Sequence, residues 1–290
     1  MNIIEVYKRF PTEDSCIEHL EGVRWHGKPT CPYCKSENQS PLPAEHRYHC
    51  NSCKTSFSVT VGTIFHKTHL DLQKWFLAIS LVLNAKKGIS ARQLSRDIEV
   101  NKNTAWYMGM RIRRAMFEQG ELLRGIVEMD ETYIGGKPRK GDPPRPKGRG
   151  TPKTPVVGMV ERGGKVSAKA VSKDKGALSS KNLSRIVKEN VDFRNSILVT
   201  DEFKGYTGIR RFMEHYSVDH KKTYSDGGIH TNNIESFWAL LKRGIVGQYH
   251  KVSVHHLNKY IAEFCYRQNN REAEDIFGLT LSRAVGGFNG

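Results

Sequence analysis

Two Cys-x-x-Cys pairs, Cys31/Cys34 and Cys50/Cys53, constrain the fold of this chain more than any other feature, with fifteen residues between Cys34 and Cys50. That spacing lets two short hairpins face each other and present four thiolates to one tetrahedral Zn2+ ion. Lys35-Ser36 and Lys54-Thr55 follow the pairs, where each knuckle needs a tight turn. Tyr48 and Cys50, then Phe57, Val59 and Val61, alternate as short strands do, with Arg47 and His49 on the opposite side. Disulfides are the other use of such cysteines, but MNIIEVYKRF has neither the apolar stretch nor the cleavage site of a secretion signal. A single structural zinc on Cys31, Cys34, Cys50 and Cys53 is therefore expected, in a ribbon with an N-terminal helix over residues 1–66. Cys16 and Cys265 belong to no pair and are expected in the core.

Charge narrows the class of partner. Forty-six Lys and Arg against thirty Asp and Glu leave a net charge of +16, which draws a protein to polyanions and speeds encounter with them. A membrane surface would answer the same charge, but no apolar run approaches the roughly 20 residues of a spanning helix. Nucleic acid is the favoured partner. The 290 residues allow roughly two domains.

After the ribbon the pattern turns helical. Leu72, Trp75, Phe76, Ile79, Val82 and Leu83 recur at steps of three and four, predicting a helix that ends near Asn84 and Gly88. Ser90 then caps a helix bearing Ala91, Leu94 and Ile98, Val100 sits in a turn, and a second helix opens at Asn101 or Asn103. This order matches a helix-turn-helix over residues 67–120. Asn101, Lys102 and Asn103 at the start of the second helix, with Arg111, Arg113 and Arg114 along it, are the candidate contacts to bases and phosphates.

The acidic residues come next. Residues 125–136 read as a strand running into a glycine turn, with Glu128 and Asp130 on one face and Val127, Met129 and Glu131 on the other. Residues 137–153 are rich in Pro, Gly, Lys and Arg and read as a basic loop, with Lys140, Arg145, Lys147 and Arg149 facing a phosphate backbone. Arg162-Gly163-Gly164 between two apolar runs signals a hairpin. A helix over 183–191 leads to the strand Ser196–Asp201. One aspartate at a strand end is usually a turn or cap residue; two in this order can hold a hard cation. In HTNNIESFWALLKR, Ile234, Phe237, Trp238 and Leu241 keep a helical period, and Glu235 and Lys242 fall on one stripe about 20° apart.

MDETYIGGK, LVTDEFKGY, HTNNIESFWALLKRGIVGQYHKVS and YIAEFCYRQNNR, in that order, resemble the DDE transposases of bacterial insertion sequences, in the group with an N-terminal zinc ribbon. The likeness runs from about residue 15 to residue 275. It implies an α/β, ribonuclease H-like catalytic domain over 121–290, with a mixed five-stranded sheet and flanking helices. It also implies catalytic Asp130, Asp201, Glu235 and Lys242, the first three holding two Mg2+ ions for which Mn2+ can substitute. Asn232 or Asn233 is the alternative to Glu235. Arg243 joins the expected DNA contacts, Tyr249, His250, Lys251 and His255 the expected DNA path, and Glu263 is expected behind the acids. The partners implied are double-stranded DNA, as element ends and as target, and further copies of the chain on that DNA, in a bacterial cytoplasm beside the nucleoid. The competing readings are a zinc-ribbon regulator without catalysis and a ribonuclease H-like nuclease.

Overall fold

The computed structural model describes residues 1–118, 121–136, 141, 146, 148–174, 176–218 and 230–286. Contacts group the chain into two units, Met1–Met116 with Glu272–Gly290, and Phe117–Arg271.

In the first unit α1 (Ile3–Arg9) and α2 (Glu13–Trp25) each open with a reciprocal cap, Asn2 with Glu5 and Thr12 with Ser15. Such caps satisfy amide groups that the first turn leaves unpaired. The ribbon follows as an antiparallel sheet of β1 (Gln39–Leu42), β2 (Arg47–Cys50) and β3 (Ser56–Phe57). Tyr48 and Phe57 stack at 5.7 Å, and both meet the edge of Trp25 from α2. The expected strand through Val59 and Val61 is absent among the described residues. The chain turns instead, Val61 N bonding Ser58 O and Thr63 Oγ1 bonding Thr60 O at 2.6 Å. Local Ser and Thr hydroxyls compete with strand pairing in this way.

Next come α3 (Leu72–Asn84), α4 (Ala91–Asp97) and α5 (Lys102–Ala115). Ser90 caps α4 through Gln93 N, and Asn101 caps α5 through Asn103 N and Thr104 N. Glu99, at φ 51°, turns the chain between them. Phe10 and Phe76 meet edge to face at 4.8 Å, and both lie against Phe277. Phe277 belongs to the last helix, Ile276–Val285, which packs on α2, α3 and α5. The expected boundary at 121 places this helix with the catalytic domain, whereas its contacts group it with the first unit. Cys16 is fully buried.

The second unit is built on a sheet whose strands lie in the order β6-β5-β4-β7-β8. These are β4 (Leu123–Ile134), β5 (Thr154–Glu161), β6 (Val166–Ala170), β7 (Val191–Asp201) and β8 (Glu214–Val218). The first three pair antiparallel, whereas β7 runs parallel to β4 and β8 parallel to β7. This is the ribonuclease H-like mixed sheet. Gly163, at φ 73°, makes the β5–β6 turn.

One face of the sheet packs Val127, Met129, Val157, Met159 and Leu198 against Leu183, Ile186 and Val187 of α6 (Ser180–Asn190), and against Tyr206 and Ile209 beyond β7. Each such buried aliphatic side chain contributes roughly 1.5–3 kcal/mol. On the other face lies α7 (Asn232–Arg243), continued by a π-helical turn over Gly244–Gln248. Edge strand β6 is covered by α8 (Val254–Asn269). Asn258 Oδ1 accepts from Ala170 N at 2.8 Å, and Asn269 pairs with both Val166 N and Val166 O. Edge-strand groups that would otherwise recruit another chain are thereby satisfied. The helix labelled α9 is Ile276–Val285 of the first unit.

Candidate active site

Two residues beyond the last parallel pair of β4 and β7, Glu128↔Val199, stand Asp130 and Asp201. Residues at matching offsets on neighbouring parallel strands share a face, so the backbone alone sets these carboxylates side by side. Oxygens of Asp130, Glu131 and Asp201 all lie within 4.8 Å of one another. A three-carboxylate group of this kind suits a hard cation such as Mg2+. Burial first, and the Glu131 carboxylate second, push the Asp130 carboxyl up to about 7.

Glu131 was expected on the far face, and its neighbours confirm that face: Tyr206 Oη donates to Glu131 Oε2 at 2.6 Å from the core side of the sheet. It still reaches the other two acids where β4 runs on past its last pair with β7. No local pattern in the sequence links Tyr206 to Glu131, 75 residues earlier.

The raised Asp130 carboxyl has a measurable consequence. The folded protein keeps a proton there that the unfolded chain releases near pH 4, so metal-free stability falls as pH rises from about 4 to about 7. Asp130→Asn removes that charge while its amide oxygen still accepts from Trp238. It is expected to stabilise the metal-free protein at pH 8 by about 1–3 kcal/mol, with the gain vanishing near pH 4. Thermal melts at both pH values check this, and an unchanged melt at pH 8 would contradict it.

Glu128, fully buried, fastens α7 to the sheet. Its Oε2 accepts from Asn233 N at 2.9 Å and Ile234 N at 3.2 Å, and its Oε1 accepts from Asn233 Nδ2 at 2.8 Å. Arg162 Nε donates to the same carboxylate at 2.9 Å and Arg162 Nη2 to His230 O at 2.9 Å. His230 Nδ1 stands 3.2 Å from Glu128 Oε1 without hydrogen-bond alignment. A carboxylate at a helix N-terminus satisfies unpaired amides and complements the dipole. Thr231, at the N-cap position itself, makes no side-chain bond to the helix backbone; its hydroxyl donates to Glu235 Oε1 at 3.0 Å. One turn further on, Trp238 Nε1 donates to Asp130 Oδ2 at 3.0 Å.

Of the remaining expected residues, Glu235 is exposed on the first turn of α7 and is not among the three clustered acids. Lys242 and Arg243 are exposed at the end of the same helix. Asn232 is exposed, and the side chain of Asn233 is committed to Glu128. Glu263 is buried and bound by Tyr249 Oη and Arg267 Nη1. In the first unit Asn101, Lys102 and Asn103 are exposed at the start of α5. Arg111 and Arg113 are turned inward: Arg111 Nη1 donates to Ile64 O and His66 O at 2.7 Å each, and Arg113 is only 4% exposed. The exposed face of α5 carries Trp106 and Tyr107 instead, with the Arg111 guanidinium over the Tyr107 ring. Lys140, Arg145 and Lys147 lie outside the described residues, and Arg149 falls in a short turn, Gly148–Gly150.

The ribbon's thiols form a second centre. Cys31 and Cys53 sulfurs are 3.7 Å apart, Cys34 and Cys50 sulfurs 3.5 Å, and all four lie within 4.8 Å. Zn–S bonds of about 2.3 Å in a tetrahedron put sulfurs roughly 3.8 Å apart, and a disulfide would hold them near 2.05 Å. The set fits zinc. Both knuckles have one geometry: Lys35 N bonds Cys31 O and Lys54 N bonds Cys50 O at 2.9 Å, with Lys35 and Lys54 at φ 63° and 57°.

Comparison with known proteins agrees with these centres. Residues 11–56 match the transposase zinc-ribbon domain. An uncharacterized protein in transposable element ISH50 of Halobacterium salinarum is 29% identical over 278 residues, covering 90% of this chain and 92% of its own. Among solved structures, the Mos1 transposase paired-end complex with left transposon end aligns over 72% of this chain and 78% of its own, at 13% identity and TM-score 0.29. The HTLV-2 integrase catalytic core domain in complex with magnesium aligns over 50% and 86%, at 15% identity and TM-score 0.29. Scores this low add nothing to what the strand order establishes. Residues 122–269, just over half of the chain and all of its sheet, match the ISXO2-like transposase domain, and the chain therefore belongs to the ISXO2-like transposase family.

Proposed function

We propose that this transposase binds the inverted repeats at the ends of its own element and cleaves and joins DNA strands there with two Mg2+ ions. The observation that carries the reading is the pair Asp130 and Asp201, side by side at matching offsets on neighbouring parallel strands. Asp130 and Asp201 would hold the ions, with Glu235 from α7 as the third ligand by family resemblance and Glu131 close at hand. Ions bound there would stabilise charge on the entering and leaving oxygens of a phosphodiester attacked in line by water or a DNA 3′-hydroxyl.

The chain's own side chains do the rest. Glu128 and Trp238 keep α7 against β4, which fixes where Glu235 and Lys242 emerge. Lys242 and Arg243 offer cations to phosphates in the second unit. In the first, Asn101, Lys102 and Asn103, joined by Trp106 and Tyr107, present polar and apolar groups suited to base edges and thymine methyls in a major groove. The ribbon and the +16 charge support a duplex as the partner.

Purified protein incubated with duplexes carrying the element's ends and Mg2+ should produce nicked ends and then 3′-ends joined to target DNA. Binding with no strand product would leave a regulator, and hydrolysis without joining would leave a nuclease.

A further inference from the structure

An indole N–H taken out of water needs an acceptor, and α7 buries one. Trp238 is 4% exposed, and its acceptor is a carboxylate of the acid cluster, Asp130 Oδ2. The ring reaches that place because the strand beside Asp130 leaves it room. Gly158 pairs with Asp130 across β4 and β5. A Cβ at Gly158 would stand 2.5 Å from Trp238 Cη2, 2.7 Å from Cζ2 and 3.1 Å from Ile234 Cδ1. No side chain fits at Gly158 unless the indole moves. Glu128 holds the preceding turn of the helix, so the donor approaches Asp130 from a fixed direction.

We propose that Trp238 is a positioning residue of the metal site: its N–H fixes the rotation of the Asp130 carboxylate, and Gly158 is the space that permits it. A free aspartate rotates about its last bond and offers its lone pairs in many directions. One oxygen tied to a rigid indole leaves the remaining lone pairs aimed one way, toward Glu131 and Asp201. The inference rests on Asp130 being a metal ligand. A purely packing role for Trp238 predicts loss of stability without loss of metal affinity in the folded protein.

The test measures Mn2+ binding to the full chain by electron paramagnetic resonance, beside thermal unfolding of the same samples. Trp238→Phe keeps an aromatic ring and removes the donor. Partners that orient metal ligands are each worth about 10–100-fold in affinity, so Trp238→Phe is expected to weaken Mn2+ binding at least about tenfold while still unfolding cooperatively. Gly158→Ala, which displaces the ring but keeps the N–H, should act in the same direction. As a readout free of substitution, the 5-fluorotryptophan resonance of Trp238 should shift when Mg2+ is added to wild type and stay put in Asp130→Asn. Wild-type Mn2+ affinity in folded Trp238→Phe overturns the inference, as does a resonance that ignores Mg2+ while Asp130→Asn abolishes binding. If Asp130→Asn itself binds Mn2+ like wild type, the metal-site reading fails first and takes this inference with it.

Discussion

Asp201→Asn is expected to lose at least about a thousandfold in strand cleavage while binding element-end DNA within about twofold of wild type. The amide keeps the shape of the carboxylate, and its oxygen still accepts from Phe203 N, the bond that now holds Asp201 at 3.0 Å. The fold beyond β7 therefore has no reason to change. What disappears is one negative ligand beside Asp130, and a metal's stabilisation of transition-state charge is worth several kcal/mol, of which about 4 kcal/mol corresponds to a thousandfold. DNA binding is expected to hold or tighten slightly, because a charge that repels phosphate has gone. Denaturing gels of labelled end duplexes and fluorescence anisotropy on the same duplexes separate the two effects. Wild-type turnover in this variant would remove Asp201 from the site.

The second large effect concerns the ribbon. One zinc per chain is expected by atomic absorption, and stripping it, or changing Cys34 to Ser, is expected to unfold residues around β1 to β3. Zinc binding supplies about 10–16 kcal/mol of folding free energy in small zinc-finger peptides. Against that, the ring contacts of Trp25, Tyr48 and Phe57 and the Tyr48 Oη bond to Glu21 contribute about 1 kcal/mol each. The near-ultraviolet dichroism of that aromatic trio should collapse on chelation, while the β4-centred sheet, whose buried cluster draws nothing from the ribbon, stays folded. Acid should act in the same direction. Zinc binds thiolates, so protons compete with the ion for all four cysteines as pH falls. Retained dichroism in excess chelator at pH 6 would refute a structural zinc.

Much of this was legible in the sequence wherever a local rule decides the outcome. The Cys-x-x-Cys spacing, the alternation of β4, the Arg162-Gly163-Gly164 turn and the period of α7 each depend on residues a few positions apart. What escaped depends on partners far along the chain. Arg111 and Arg113 looked like phosphate contacts because charge is usually exposed, yet Arg111 satisfies carbonyls at Ile64 and His66 and Arg113 is buried. Glu128 was placed on the correct face, but nothing local announced that a residue more than a hundred positions earlier would cap α7. Glu131 was assigned to the core face and indeed touches Tyr206; only the end of the β4–β7 pairing at Glu128↔Val199 lets it also reach Asp130 and Asp201. The link from Trp238 to Asp130 joins two motifs that had been read separately.

The packing of α9 on α2, α3 and α5 also sets an order in time. A ribosome delivers residues 117–271 before it delivers Ile276–Val285, and domains fold largely as they emerge. The N-terminal unit must therefore wait, with the apolar bed around Phe10 and Phe76 uncovered, until the entire sheet-bearing unit has been made. A truncated product would carry the ribbon and the helix pair without their closing helix. Synthesis itself thus withholds a finished N-terminal unit from any chain that lacks the acid-bearing sheet.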